Sequence, residues 1–193
     1  MTKELLSGIA IVITFVAFIP YIRSIHSGAT KPHVFTWVIW GFATFVVFWA
    51  QLVAEAGAGA WPTGISALVT IYVALLAYIK RADISINLVD WAFFVGAMTA
   101  LPLWFLTSDP LWAVVILTTV DILGYGPTIR KVYGNPYSER VAFFLLMAVR
   151  NLVSIAAIER YSLTTLLFPA ATAAAVSLLM AIVVRRRLVV SSR

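Results

Sequence analysis

Four polar residues stand inside long apolar runs of this chain: Gln51, Asp121, Arg150 and Asn151. Their chemistry depends on what surrounds them. A carboxylate at the centre of a bilayer costs about 2.5–3.5 kcal/mol on insertion scales, so Asp121 must face inward and be either paired or protonated. Three uses are open to it: a proton-coupling group, a hydrogen-bonding anchor for a substrate, or the structural partner of Arg150. An arginine does not shed its proton, so Arg150 needs an anion. Asp121 is the best partner by depth and by helix adjacency, and an anionic substrate is the other choice. Asn151 can read a polar solute. Consecutive helical residues point about 100° apart, so only one of Arg150 and Asn151 faces a pocket centre. Thr118, Asp121, Tyr125 and Thr128 share one helical face.

A second pattern lies upstream. Trp37, Trp40, Thr44, Phe48, Gln51 and Glu55 recur at spacings of 3, 4, 4, 3 and 4, which is one face of a helix. Such a stripe suits a slot that stacks a flat or ringed solute and hydrogen-bonds its edge. Helix packing with an interfacial aromatic belt is the simpler use of the same residues. Glu55 and Glu159 end two apolar runs, either as an extracellular gate pair or as solvated helix ends. Asn87 and Asp90, beside Trp91, read as a helix-start cap. His26 and His33 have no inward carboxylate cluster beside them, so no metal site is expected. No nucleophile–base pair or Gly-rich phosphate loop occurs, so neither an enzyme nor a cofactor is expected.

The elements that must position these residues follow from composition. The chain is 62% hydrophobic and 11% charged, with a mean hydropathy of +0.98. A soluble domain carries about a quarter charged residues. Lipid is therefore the expected solvent. Seven apolar segments are long enough to span it: roughly 4–22, 33–55, 61–79, 86–106, 110–129, 138–158 and 162–184. The first runs on into Pro20-Tyr21-Ile22-Arg23 without a small-residue cleavage site, so it reads as a span and not as a cleaved leader.

Charge tests this count. With seven spans, one side holds Arg23, Lys31, Lys80, Arg81, Arg130, Lys131, Arg140, Arg185, Arg186, Arg187 and Arg193, eleven of the 14 Lys and Arg. The other side holds Lys3 and Arg160. That asymmetry predicts an outside N-terminus and a cytoplasmic C-terminus. The net charge of +6 is then a property of scattered cytoplasmic loops, and nucleic acid is not an expected partner. No cysteine is present, which excludes disulfides and thiolate metal sites.

The chain also repeats itself. Pro20 aligns with Pro127, Arg23 with Arg130, Pro32 with Pro136, Glu55 with Glu159, and Lys80-Arg81 with Arg185-Arg186. Two three-helix units, 1–81 and 109–193, are joined by a linker helix in 82–108. The linker supplies the extra crossing that gives both units the same orientation. This 3+1+3 plan, N-out and C-in, resembles the SWEET, SemiSWEET, PQ-loop and PnuC-type transporter superfamily. The resemblance covers the whole chain. It implies triple-helix bundles, alternating access, and a tetrad of hinge prolines at Pro20, Pro32, Pro127 and Pro136. The Pro-Gln pair is replaced here by Pro20-Tyr21 and Pro127-Thr128, and the sugar-facing asparagines of helices 3 and 7 are missing.

The expected protein is thus an all-α integral membrane protein with seven transmembrane helices. It moves a small polar solute such as a sugar, amino acid, nucleoside or vitamin, with proton coupling through Asp121 as one mode. The expected site is Trp37, Trp40, Gln51, Asp121, Tyr125 and Asn151, with Arg150 close by. Its partners are membrane lipid and a small-molecule solute, and a homo-oligomer is compatible with the fold. Short loops without extensions favour a prokaryotic inner membrane. The alternative is a receptor or sorting protein of the same fold, similar to those that retrieve proteins to the endoplasmic reticulum, in which Arg150 meets a peptide carboxylate.

Overall fold

The computed structural model describes residues 1–30, 32–80, 86, 88–137 and 141–191, with backbone alone at 127, 128, 130, 131 and 191. Lys31, Arg81, Asn87, Arg140 and Arg193 lie outside the described residues. Every regular element described is helical. The order is α1 (Lys3–His26), α2 (Val34–Val53), a 3₁₀ turn (Gly57–Ala60), α3 (Trp61–Ile79), α4 (Leu88–Met98), α5 (Ala100–Thr107), α6 (Pro110–Leu123), α7 (Gly126–Gly134), α8 (Val141–Ala157) and α9 (Leu163–Ser191). Five stretches are long and apolar enough to cross a membrane: Lys3–His26, Val34–Val53, Gly57–Ile79, Leu88–Thr107 and Leu163–Val190. α6 and α8 are shorter apolar helices.

The distribution of side chains is that of an all-α membrane protein. Large apolar residues point outward on α1 (Val12, Phe15, Val16, Ile19) and on α3 (Leu68, Ile71, Leu75). The buried faces of the same helices are rich in small and polar residues, Ser7, Ala10, Thr14 and Ala17 on α1 and Thr63, Ser66, Ala67, Thr70 and Ala74 on α3, beside a few larger ones such as Phe18, Ile25 and Val73. Water would not tolerate that much exposed apolar surface. In lipid, by contrast, small residues let helices approach closely and polar ones bind across the interface.

Two expected spans are interrupted, each for a local reason. The segment expected at 110–129 stops at Leu123, is capped by Gly124 and restarts as α7 at Gly126. Two glycines weaken the helix there by about 1 kcal/mol each. Pro127 then falls in the first turn of α7, where its missing N–H leaves no bond unmade. The segment expected at 86–106 breaks at Thr99, whose hydroxyl donates to the Gly96 carbonyl at 2.7 Å. Pro102 removes the N–H that would have bonded the Met98 carbonyl. At Pro20, by contrast, no glycine flanks the proline, and α1 runs through it to His26.

Packing follows one order twice. α3 lies between α1 and α2, and α9 lies between α6 and α8. The two trios meet mainly along α1 with α8 and α2 with α6, with smaller contacts of α2 with α9 and of the 3₁₀ turn with α8. α4 and α5 pack mainly on α6, and α4 also touches α2. The largest apolar core forms at the α2–α6 contact around Val46, Val47, Val114 and Leu117.

Candidate functional site

Arg150, near the middle of α8, is only 2% exposed. Its guanidinium binds four neutral oxygens. Nε donates to Thr14 Oγ1 at 3.3 Å, Nη1 to Asn151 Oδ1 at 2.8 Å, and Nη2 to Ser66 Oγ at 2.6 Å and to the Pro62 carbonyl. Four of its five N–H groups are therefore used. These bonds tie α8 to α1 and α3. The acceptors are themselves fixed: Thr14 Oγ1 donates to the Ala10 carbonyl at 2.9 Å, and Asn151 Nδ2 donates to the Met147 carbonyl at 2.8 Å. The expected partnership with Asp121 is not formed. Arg150 is satisfied by dipoles, because α1 and α3 supply oxygens within direct reach of α8.

Asp121 lies on α6, 9% exposed. Among the described residues its carboxylate has no hydrogen bond and no ion pair. One turn away, Thr118 Oγ1 is buried and likewise unbonded. Tyr125, in the break between α6 and α7, stands within electrostatic reach of both Asp121 and Arg150. Across the α2–α6 contact comes Trp40. A methyl group on Gly124 would lie 3.0 Å from Trp40 Nε1 and 3.0 Å from the Asp121 carbonyl oxygen, so the indole edge rests against the helix break.

The aromatic stripe of α2 divides along its length. Trp37 stacks on Tyr21 at 5.3 Å and meets Phe18 and Trp40 edge-on. Trp37 is thus held in an aromatic cluster with α1. Thr44 donates to the Trp40 carbonyl at 2.8 Å. Phe48 packs on Trp61. Gln51 is fully buried: Nε2 donates to the Thr165 carbonyl at 3.1 Å, while Oε1 has no partner. Gln51 therefore joins α2 to the start of α9 and keeps one acceptor free.

The two glutamates do not pair with one another. Glu55 forms an exposed ion pair with Arg160. Glu159 Oε1 accepts from the Ala58 N–H at 2.8 Å, and the Glu159 N–H donates to the Ala56 carbonyl at 3.0 Å. Glu159 thus binds the backbone of the 3₁₀ turn, where Gly57 (φ +59°) leaves room for its carboxylate. Of the prolines, Pro32 and Pro136 are buried, Pro20 is exposed on α1, and Pro127 lies in α7. Asp90 approaches His33 Nε2 at 3.8 Å, which links α4 to the start of α2.

Sequence reasoning missed both Thr14 and Ser66 as partners of Arg150. One signal did point to Thr14: the register that pairs Pro20 with Pro127 also pairs Thr14 with Asp121. The interior thus has a saturated half around Arg150 and an unsaturated half formed by Asp121, Thr118, Trp40 and Tyr125. An unsaturated buried acceptor set can hold a proton or a hydrogen-bond donor. No protein-family model, curated protein or solved structure matches the chain.

Proposed function

We propose that this chain is a small-solute transporter of the SWEET-like kind, with seven spans arranged 3+1+3, N-out and C-in, in a prokaryotic inner membrane. The observation that carries this reading is the buried Asp121 carboxylate, which has no partner among the described residues although a buried guanidinium stands in the same interior. Placing an acid there costs several kcal/mol unless something binds to it. A fold-stabilising role would have paired it.

The repeat accounts for its isolation. The register of Pro32 on Pro136 sets Arg150 opposite Val46, and the register of Pro20 on Pro127 sets Asp121 opposite Thr14. The contact of α1 with α8 therefore has an arginine on a threonine, while its counterpart between α2 and α6 has a valine against the helix that carries the acid. One interface is polar and closed; the other keeps a free carboxylate. Alternating access moves the two trios against each other across these two contacts, with the Gly124–Gly126 break beside Asp121 as the flexible point. The solute or a proton occupies Asp121, and Trp40, Tyr125 and Gln51 Oε1 supply the surrounding contacts.

Proteoliposome uptake tests this. Sugars, amino acids, nucleosides, ringed vitamins and small carboxylates are first screened by thermal shift, since a ligand of the folded state raises the midpoint by mass action. The class that shifts it is then followed into sealed vesicles at several pH values. Asp121→Asn is expected to abolish either flux or its pH dependence. Unchanged flux and pH dependence in that variant would sink the coupling role. A ligand that binds but never enters the vesicle would assign the receptor role instead.

A further inference from the structure

The end of the bundle that carries the N-terminus holds a cleft of about 470 Å³, lined by Glu4, Ser7, Gly8 and Ile11 of α1, Trp61 of α3, and Glu159. We propose that it is a binding site for an organic ammonium ion, separate from the interior around Asp121.

The charge in this cleft is uncompensated. Both side-chain cations described at this end are engaged elsewhere. Arg160 pairs with Glu55. Lys3 donates to the Ala156 carbonyl at 2.8 Å and lies over the Tyr161 ring. Among the described residues neither Glu4 nor Glu159 forms an ion pair, and Glu159 Oε1 accepts from the Ala58 N–H. Two carboxylates therefore face one cleft whose described lining holds no cationic side chain.

A second observation is independent of the acids. Ser7 is 5% exposed and lines the cleft, yet its hydroxyl makes no hydrogen bond among the described residues. A buried serine in a helix commonly bonds its own backbone, as Thr14 and Thr70 do here. Ser7 instead keeps its oxygen available to an occupant.

The remaining walls select the kind of cation. Ile11 and Trp61 are apolar, and an indole face attracts an ammonium group. A hard cation such as calcium or magnesium takes six or more oxygens, more than the two carboxylates and one hydroxyl of these walls supply. The volume is that of a small-molecule site. An amine with a carbon body fits charge, ring and volume together. It can come from a free solute or from the headgroup of an aminophospholipid.

Gly8 gives a clean way to close the cleft. A Cβ added at Gly8 would meet nothing within 4 Å, so Gly8→Leu places its side chain into the open space of the cleft. Choline and ethanolamine are titrated calorimetrically into the micelle-solubilised full chain, with acetate as the control anion. Saturable binding of an ammonium probe is expected, with at least a tenfold loss in Glu4→Gln/Glu159→Gln and in Gly8→Leu. Unfolding midpoints of the variants verify the fold, and Glu4→Gln alone serves if Glu159→Gln disturbs the Ala58 bond. Repeating the titration in nanodiscs with and without phosphatidylethanolamine separates the sources: competition by the lipid assigns the headgroup, and undiminished binding assigns the free amine. No saturable binding of either probe, or binding unaffected by both changes, overturns the proposal.

Discussion

The arrangement around Arg150 makes a prediction that separates neutral clamping from ion pairing. Arg150→Met keeps most of the buried stem and removes the charge. Two acceptors are then left without a donor, Ser66 Oγ and Asn151 Oδ1, because neither has another donor in the structure. Thr14 retains its bond to Ala10. An orphaned buried acceptor costs about 1–3 kcal/mol. Opposing this, a desolvated guanidinium without an anion is removed, and relief of such a charge is worth several kcal/mol. Arg150→Met should therefore lie within about 2 kcal/mol of the parent on those two ranges. Arg150→Ala loses the packed stem as well and should be worse by about 2–4 kcal/mol, the range of large-to-small core changes. The decisive measurement is a pair of double-mutant cycles, read by reversible SDS unfolding with helix content as the signal. Arg150→Met with Ser66→Ala should couple by about 1–3 kcal/mol, as expected for groups in one hydrogen-bond network. Arg150→Met with Asp121→Asn should couple less. If the coupling to Asp121 is the larger of the two, the guanidinium is balanced by that carboxylate and the reasoning about a free acid fails.

Three further expectations follow from particular contacts. Gly59→Ala would bring a methyl group 2.6 Å from Ile158 Cα, which is backbone and cannot turn aside; the 3₁₀ turn must then move off the α8–α9 connection, with a loss of more than about 2 kcal/mol in the same unfolding assay. Gln51→Leu removes an unfilled acceptor together with one bond to Thr165, so stability should stay within about 1 kcal/mol; uptake of the identified solute should nevertheless fall if Gln51 Oε1 reads it, and flux beside the unfolding midpoint distinguishes the two. Glu55→Gln breaks an ion pair whose side chains are 68% and 67% exposed; its cost should stay under about 1 kcal/mol and shrink in high salt, as unfolding at two ionic strengths would show.

The sequence disclosed the class of fold because the bilayer imposes it. A chain that is 62% hydrophobic and broken by short loops has few alternatives to packed helices. It also disclosed which polar residues turn inward: Gln51, Asp121, Arg150 and Asn151 are all buried, as the cost of placing such groups in lipid requires. Helix breaks were less legible. Pro20 and Pro127 look alike in the alignment, yet α1 continues through the first and α6 ends before the second. The difference lies in Gly124 and Gly126, whose weak helix propensity lets the chain part where proline alone does not force it.

Pairing was the least legible level, and Arg150 shows why. Charge matching ranks Asp121 first among its partners, because opposite charges attract over the longest range. Inside a helical bundle, however, reach decides. A guanidinium can donate to any oxygen that comes within about 3 Å, and hydroxyls and carbonyls greatly outnumber carboxylates there. Thr14, Pro62 and Ser66 lie 136, 88 and 84 residues away along the chain. Only the packing of α1 on α8, with α3 seated beside α1, brings them to Arg150. Once those neutral groups have filled the guanidinium, the acid on α6 is left over. A buried carboxylate left over in this way is costly in the empty protein and favourable only with an occupant, which is why Asp121, and not the better-bonded Arg150, is the residue to follow in a transport assay.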